Sequence, residues 1–168
     1  MTQYKLSLRP EGPQDAATVD AICFAAFGPA THVKAAAALR EGNVSRADLA
    51  FVAEIDGEIV GTVRQWPVRS GTARFLMLGP LAVAPAFEGR GVGRALLNRS
   101  VEAARQAGDS GIVLVGARQY YAASGFMPMS GETPKLPRPV DPARLLLLPF
   151  DPGLRARMTG AIVADAPR

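Results

Sequence analysis

Residues 81–94 hold the chemistry most open to direct reading. Gly89, Gly91 and Gly93 stand at alternate positions between an apolar run and a helical one. Without Cβ atoms, the backbone there can curl so that successive N–H groups face one concave side. The helix that follows adds unpaired N–H groups and the positive end of its dipole. Such a loop can cradle a phosphate or pyrophosphate, and the side chains of Arg90 and Arg94 can add charge. Two other glycine motifs fail on spacing. A dinucleotide fingerprint G-x-G-x-x-G would need glycine where Arg94 stands, or, one repeat later, where Leu96 stands. No Gly-Lys-Ser/Thr tripeptide occurs, which excludes a P-loop. The plain alternative is a tight strand-to-helix turn that binds nothing.

Other reactive side chains are scarce. His32 and Cys23 are single of their kind, so neither a zinc cluster nor an intramolecular disulfide can form. Metal binding has no support. Cys23 sits on an apolar helical run and reads as a buried thiol. His32 reads as a cap or surface residue at a helix start. Trp66 and Phe75 suit either a pocket wall or the core.

The elements that must hold the glycine loop follow from periodicity. Residues 4–9 alternate and form a first strand. Pro13 opens a helix that Gly28-Pro29 ends. A short helix spans residues 32–40. Residues 51–55 and 58–63 form a hairpin across Asp56-Gly57, and the second strand continues toward Trp66. Residues 74–83 form a fourth strand with a bulge at Gly79-Pro80, because proline cannot donate to a ladder. After the loop, a helix to about Ala107 presents Val92, Leu96, Ala103 and Ala107 on one face. A buried strand at 112–115, a brief helix at 120–124, a proline-rich stretch at 134–142 and a last strand at 145–148 complete the chain. The class is α/β, with one mixed sheet flanked by helices, and residues 1–168 read as a single domain.

Bulk composition narrows the setting. Apolar residues make up 48% and charged residues 20%, a globular balance that excludes a disordered chain. The excess of 19 basic over 15 acidic residues is small and spread along the chain, which argues against nucleic acid as a partner. Neither a signal peptide nor an apolar stretch long enough to span a membrane is evident. A reduced, cytoplasmic compartment is expected. Oligomeric state stays open, a homodimer included.

Glu88-Gly89-Arg90-Gly91-Val92-Gly93 resembles the acetyl-CoA signature Q/R-x-x-G-x-G/A of the GNAT N-acetyltransferases. Tyr121-Ala122-Ala123-Ser124-Gly125-Phe126 resembles the family's Y-x-x-x-G-F element, and a helix and an apolar strand separate the two, as in the family. Residues 78–85 and 114–121 are similar more particularly to the bacterial YhbS-like branch.

This resemblance implies the GNAT fold, its central sheet splayed between the fourth and fifth strands. It implies acetyl-CoA as co-substrate. The pantetheine arm would pair with backbone groups of Leu81, Ala82 and Val83. The pyrophosphate would rest on the N–H groups of Gly89, Arg90, Gly91, Val92, Gly93 and Arg94. It further implies an N-acetyltransferase that moves acetyl directly to a primary amine, small molecule or peptide, in a ternary complex. Tyr121 matches the family's general acid, and a phenol suits a thiolate because both have ordinary pKa values of roughly 8 to 10. Tyr120 is its nearest confounder. Glu88 departs from the family's Gln or Arg, and a carboxylate facing a pyrophosphate opposes binding. Glu88 should therefore turn outward or pair with a nearby Arg. The fourth strand carries no carboxylate to serve as base, and Glu54 and Glu58 on the hairpin read as solvated. Two alternatives are an acyl-CoA-binding module without turnover and a nucleic-acid-binding protein.

Overall fold

The computed structural model describes residues 3–29 and 35–167. Seven strands lie side by side in one sheet. They are β1 (Leu6–Pro10), β2 (Phe51–Ile55), β3 (Glu58–Ser70), β4 (Ala73–Val83), β5 (Gly111–Val115), β6 (Met127–Pro128) and β7 (Leu145–Pro149). Their order is β1-β2-β3-β4-β5-β7-β6, and a short β8 (Val163–Ala164) pairs with β3. All neighbours are antiparallel except β4 and β5.

That parallel pair creates the site. β4 and β5 match at Leu76↔Ile112 and Met77↔Val113. Beyond Met77, β4 runs on to Val83 without pairing to β5. The expected bulge lies at this divergence. The β3–β4 register slips between Val63 and Gln65, with Gly79 and Pro80 between the paired residues Leu78 and Leu81. Trp66 Nε1 donates to the Gly79 carbonyl at 2.6 Å, which satisfies an acceptor that the slipped ladder leaves.

Helix α1 (Ala16–Phe27) follows a 3-10 turn at Pro13–Asp15 and ends at Gly28. It packs Val19, Ile22 and Cys23 against Val52 and Ala82. The turn is anchored by Arg9, whose guanidinium grips buried Asp15 and also reaches Glu54 at 2.8 Å. Glu54 is therefore a paired structural carboxylate, contrary to its reading as solvated. The second helix is a 3-10 turn at Ala35–Leu39. The expected position of His32 lies outside the described residues.

Helix α2 (Val92–Gln106) covers the opposite face with Val92, Leu96, Leu97, Ser100, Val101 and Ala104. Ala107 is exposed and Ala103 only half-buried, so the buried stripe is rotated from the one expected. Ser100 accounts for the rotation: its Oγ donates to the Leu49 carbonyl at 2.9 Å and accepts from Gln65 Nε2 at 2.7 Å. The C-terminal region holds more structure than its proline content suggested. Helix α3 (Arg118–Tyr121) precedes β6 and β7. Helix α4 (Leu154–Arg157) then brings Leu154, with Met158 and Ile162, onto Val68, Phe75 and Met77. No helix among the described residues is long and apolar enough to cross a membrane.

Candidate active site

A cavity of about 660 Å³ opens where β4 and β5 part, within the range of small-ligand sites. One wall is Leu81, Ala82 and Val83 of β4, and the facing wall is Leu114, Val115 and Gly116 with Tyr120 and Tyr121. At one end stand Phe87, Gly89, Gly91 and Gly93. At the other stand Ala26, Phe27, Ala36 and Arg40, beside Gly79 and Pro80.

The glycine end has the geometry of an anion cradle. Gly91, the residue before α2, has φ of 80°, and Gly89 has φ of 75°. Both lie in the left-handed region that side chains disfavour. Gly93 contributes space rather than backbone freedom. A Cβ there would lie 2.8 Å from the Tyr120 hydroxyl. The N–H groups of the first turn of α2 have no intrahelical acceptors and face the same opening.

Strand alternation sorts the β4 residues. The Ala84 N–H donates to the Val60 carbonyl at 2.8 Å, and Ala82 pairs with Thr62. The backbone groups of Ala82 are thus spent on β3, while those of Leu81 and Val83 turn into the gap. An extended ligand arm lying along β4 would find those two residues, with Ala82 contributing only bulk.

The two arginines of the loop diverge. Arg90 turns away and stacks over the rings of Tyr4 at 4.4 Å and Phe87 at 5.1 Å. Arg94 lines the cavity, stacks over Tyr120 at 4.4 Å, and donates to the Tyr120 carbonyl at 2.7 Å and Ser124 Oγ at 3.1 Å. It ties α2 to α3. Val92 is buried in the core and has only its backbone to offer. Glu88 is exposed at the rim of the cavity, which it helps to line.

Tyr120 and Tyr121 separate cleanly. Tyr120 packs over Gly93 at the cradle. Tyr121 lies deeper, its ring against Gly116 and edge-on to Phe126 at 5.9 Å. Burial pushes its phenol up to about 12, with Tyr120 adding in the same direction and Arg94 and Arg144 opposing. The hydroxyl has no hydrogen-bond partner among the described residues. Trp66 and Phe75 do not reach the cavity: Trp66 serves the bulge and Phe75 is core. Cys23 is a buried thiol, pushed up by desolvation.

Three lining residues received no role of their own from the sequence, although Gly116 lies in the family-like segment 114–121. Gly116 gives room to Tyr121, Arg144 comes from the segment before β7, and Arg40 follows the alanine-rich turn. Only the folded chain brings them to the cavity.

The sequence pattern of the Acetyltransferase (GNAT) family matches residues 19–126. The chain is 28% identical over 136 residues to the uncharacterized N-acetyltransferase YjhQ of Escherichia coli K12, covering 79% of this chain and 75% of that one. A GNAT-family acetyltransferase from Brucella melitensis, solved in complex with acetyl-CoA, is 30% identical, with a TM-score of 0.69 and 98% of both chains covered. The Escherichia coli N-acetyltransferase YhbS, solved with CoA, shares the fold at a TM-score of 0.80 and 23% identity, over 98% of this chain and 92% of that one.

Proposed function

The chain belongs to the GNAT acetyltransferase family, and from that premise we propose that it transfers acetyl from acetyl-CoA to a primary amine by direct attack in a ternary complex. One observation carries the proposal: a single cavity joins the glycine cradle, the free edge of β4 and the Tyr121 ring. The residues fit the co-substrate. The cradle suits a pyrophosphate, and the unpaired backbone of Leu81 and Val83 suits an extended, amide-bearing arm.

When bound, acetyl-CoA supplies an activated thioester that an amine can attack with release of a thiolate. The N–H group of Leu81, the one nearer the bulge, is a donor for charge that develops on a carbonyl oxygen, and the backbone of Val83 is left to the arm. Tyr121 is the donor for the departing sulfur. Its phenol is held near 12, well above an ordinary thiol near 8.5. The shared proton therefore stays closer to the phenol oxygen. Tyr121 acts chiefly by hydrogen bonding to the sulfur, and solvent completes the protonation. Among the described lining residues Glu88 is the one carboxylate, and it stands at the rim. No described residue is assigned as the base, and a water chain from the backbone is the route we propose for the amine's proton.

Tyr121→Phe should lower kcat about a hundredfold or more and leave acetyl-CoA affinity within about threefold. Because burial raises the phenol, its proton is retained up to about pH 12, so ionisation of Tyr121 should cause no fall in rate between pH 8 and 10. Full activity in Tyr121→Phe would refute the assignment. Acetyl-CoA binding without transfer to any amine would leave an acyl-CoA-binding module.

A further inference from the structure

We propose that Arg40 selects acceptors that carry an anionic group, a carboxylate or a phosphate-type anion, close to the amine that is acetylated. The inference rests on the transferase reading and concerns the end of the cavity remote from the cradle.

Arg40 is half-buried and lines that end. A Cβ built on Gly79 would lie 3.7 Å from its Nη1, so the guanidinium sits beside the bulge where the strands part. Gly93 marks the opposite end, where its Cβ would lie 3.5 Å from Val83. A strand rises about 3.3 Å per residue, and with the bulge shortening the run Gly79 and Val83 stand roughly 10–13 Å apart. Arg40 is therefore too far from the cradle to serve a pyrophosphate held there. It stands where an acceptor would meet the acyl end of an arm lying along β4.

Among the described residues Arg40 has no ion-pair partner. Arg9 pairs with Asp15 and Glu54, Arg46 with Asp48 and Asp109, and Arg64 with Glu11. Arg40 has no carboxylate partner and no side-chain hydrogen bond among the described residues. Residues 30–34 contain no Asp or Glu. Cys23 lies near enough to favour the cation, but burial keeps its thiol protonated and uncharged at neutral pH. Arg64 is a second cation nearby, and desolvation weighs further against the charge of Arg40. A guanidinium nevertheless stays ionised. A partly desolvated cation without a counter-ion is unfavourable, and a ligand anion would relieve it. The planar fork matches a carboxylate or phosphate with two hydrogen bonds. The same charge repels polyamines and lysine side chains that lack a neighbouring anion.

The test uses pairs of amines that differ only in the anion: an amino acid against its amide, and an aminoalkylphosphonate against the plain alkylamine. The full chain and Arg40→Gln are compared by kcat/KM at fixed acetyl-CoA, and by thermal midpoint with CoA present. The anionic member of a pair should be favoured by about tenfold or more and should alone raise the midpoint. Both preferences should fall to within about twofold in Arg40→Gln, with Arg40→Lys between. The carboxylate and phosphonate pairs identify which anion is taken. Preference for neutral or cationic amines, or an undiminished anion preference in Arg40→Gln, would overturn the proposal. If acetyl-CoA binds and no amine is acetylated, the transferase reading fails by itself. The midpoint comparison then decides the role of Arg40: an anion-dependent rise confined to the parent chain supports it, and no rise refutes it. Should Arg40→Gln prove unstable alone, Arg40→Lys carries the comparison.

Discussion

Gly93 and Gly116 matter for the space they leave rather than for backbone freedom. A Cβ on Gly93 would meet the Tyr120 hydroxyl, and one on Gly116 would run into the Tyr121 ring. The two tyrosines thus reach different depths of one cavity because a glycine lies under each. Glu88 raises a different question at this scale. Its carboxylate is exposed at the cradle rim and makes no ion pair among the described residues. Replacing it with the family's neutral residue removes repulsion and no contact. Glu88→Gln should therefore tighten acetyl-CoA binding or leave it unchanged in a calorimetric titration at low salt, and a clear loss of affinity would contradict this. The cradle glycines and Tyr121 were legible as short motifs. Arg40 was not, because its place beside Gly79 depends on a neighbour distant in sequence.

Helix α2 controls where the cradle sits, and a buried polar contact seats it. Gln65 Nε2 donates to both the carbonyl and Oγ of Ser100, and Ser100 Oγ donates to the Leu49 carbonyl. Ser100→Ala would leave that carbonyl without its donor and should destabilise the fold by about 1–3 kcal/mol, read by urea unfolding; an unchanged midpoint would count against this seating. The same serine sets the helix apart from its apolar pattern. Polarity excludes it from the expected stripe, which runs toward Ala103 and Ala107, whereas Leu97, Ser100 and Ala104 face the sheet. The hairpin, the bulge at Gly79-Pro80 and β5 were legible from turn residues and apolar runs. The strands β6 and β8 were not, since each is two residues long and exists only through pairing with β7 or β3.

Over the whole molecule, one irregularity couples fold to function. The sheet is continuous from β1 to β6, yet the parallel pair β4–β5 holds together at Leu76–Met77 and then opens. The opened edge leaves backbone groups without a ladder partner, a state more usual at sheet edges than at the centre. A ligand that pairs with β4 and caps α2 would supply both sets of missing partners. It should therefore stabilise the entire chain.

That coupling is the central claim, and a thermal-unfolding titration tests it most directly. Acetyl-CoA at about 100 times its dissociation constant adds about 2.7 kcal/mol, which for a chain of this size raises the midpoint by roughly 5 to 11 °C. NAD and ATP at the same concentration should produce little or no rise. No rise with acetyl-CoA up to millimolar concentration, or an equal rise with all three, would contradict the account.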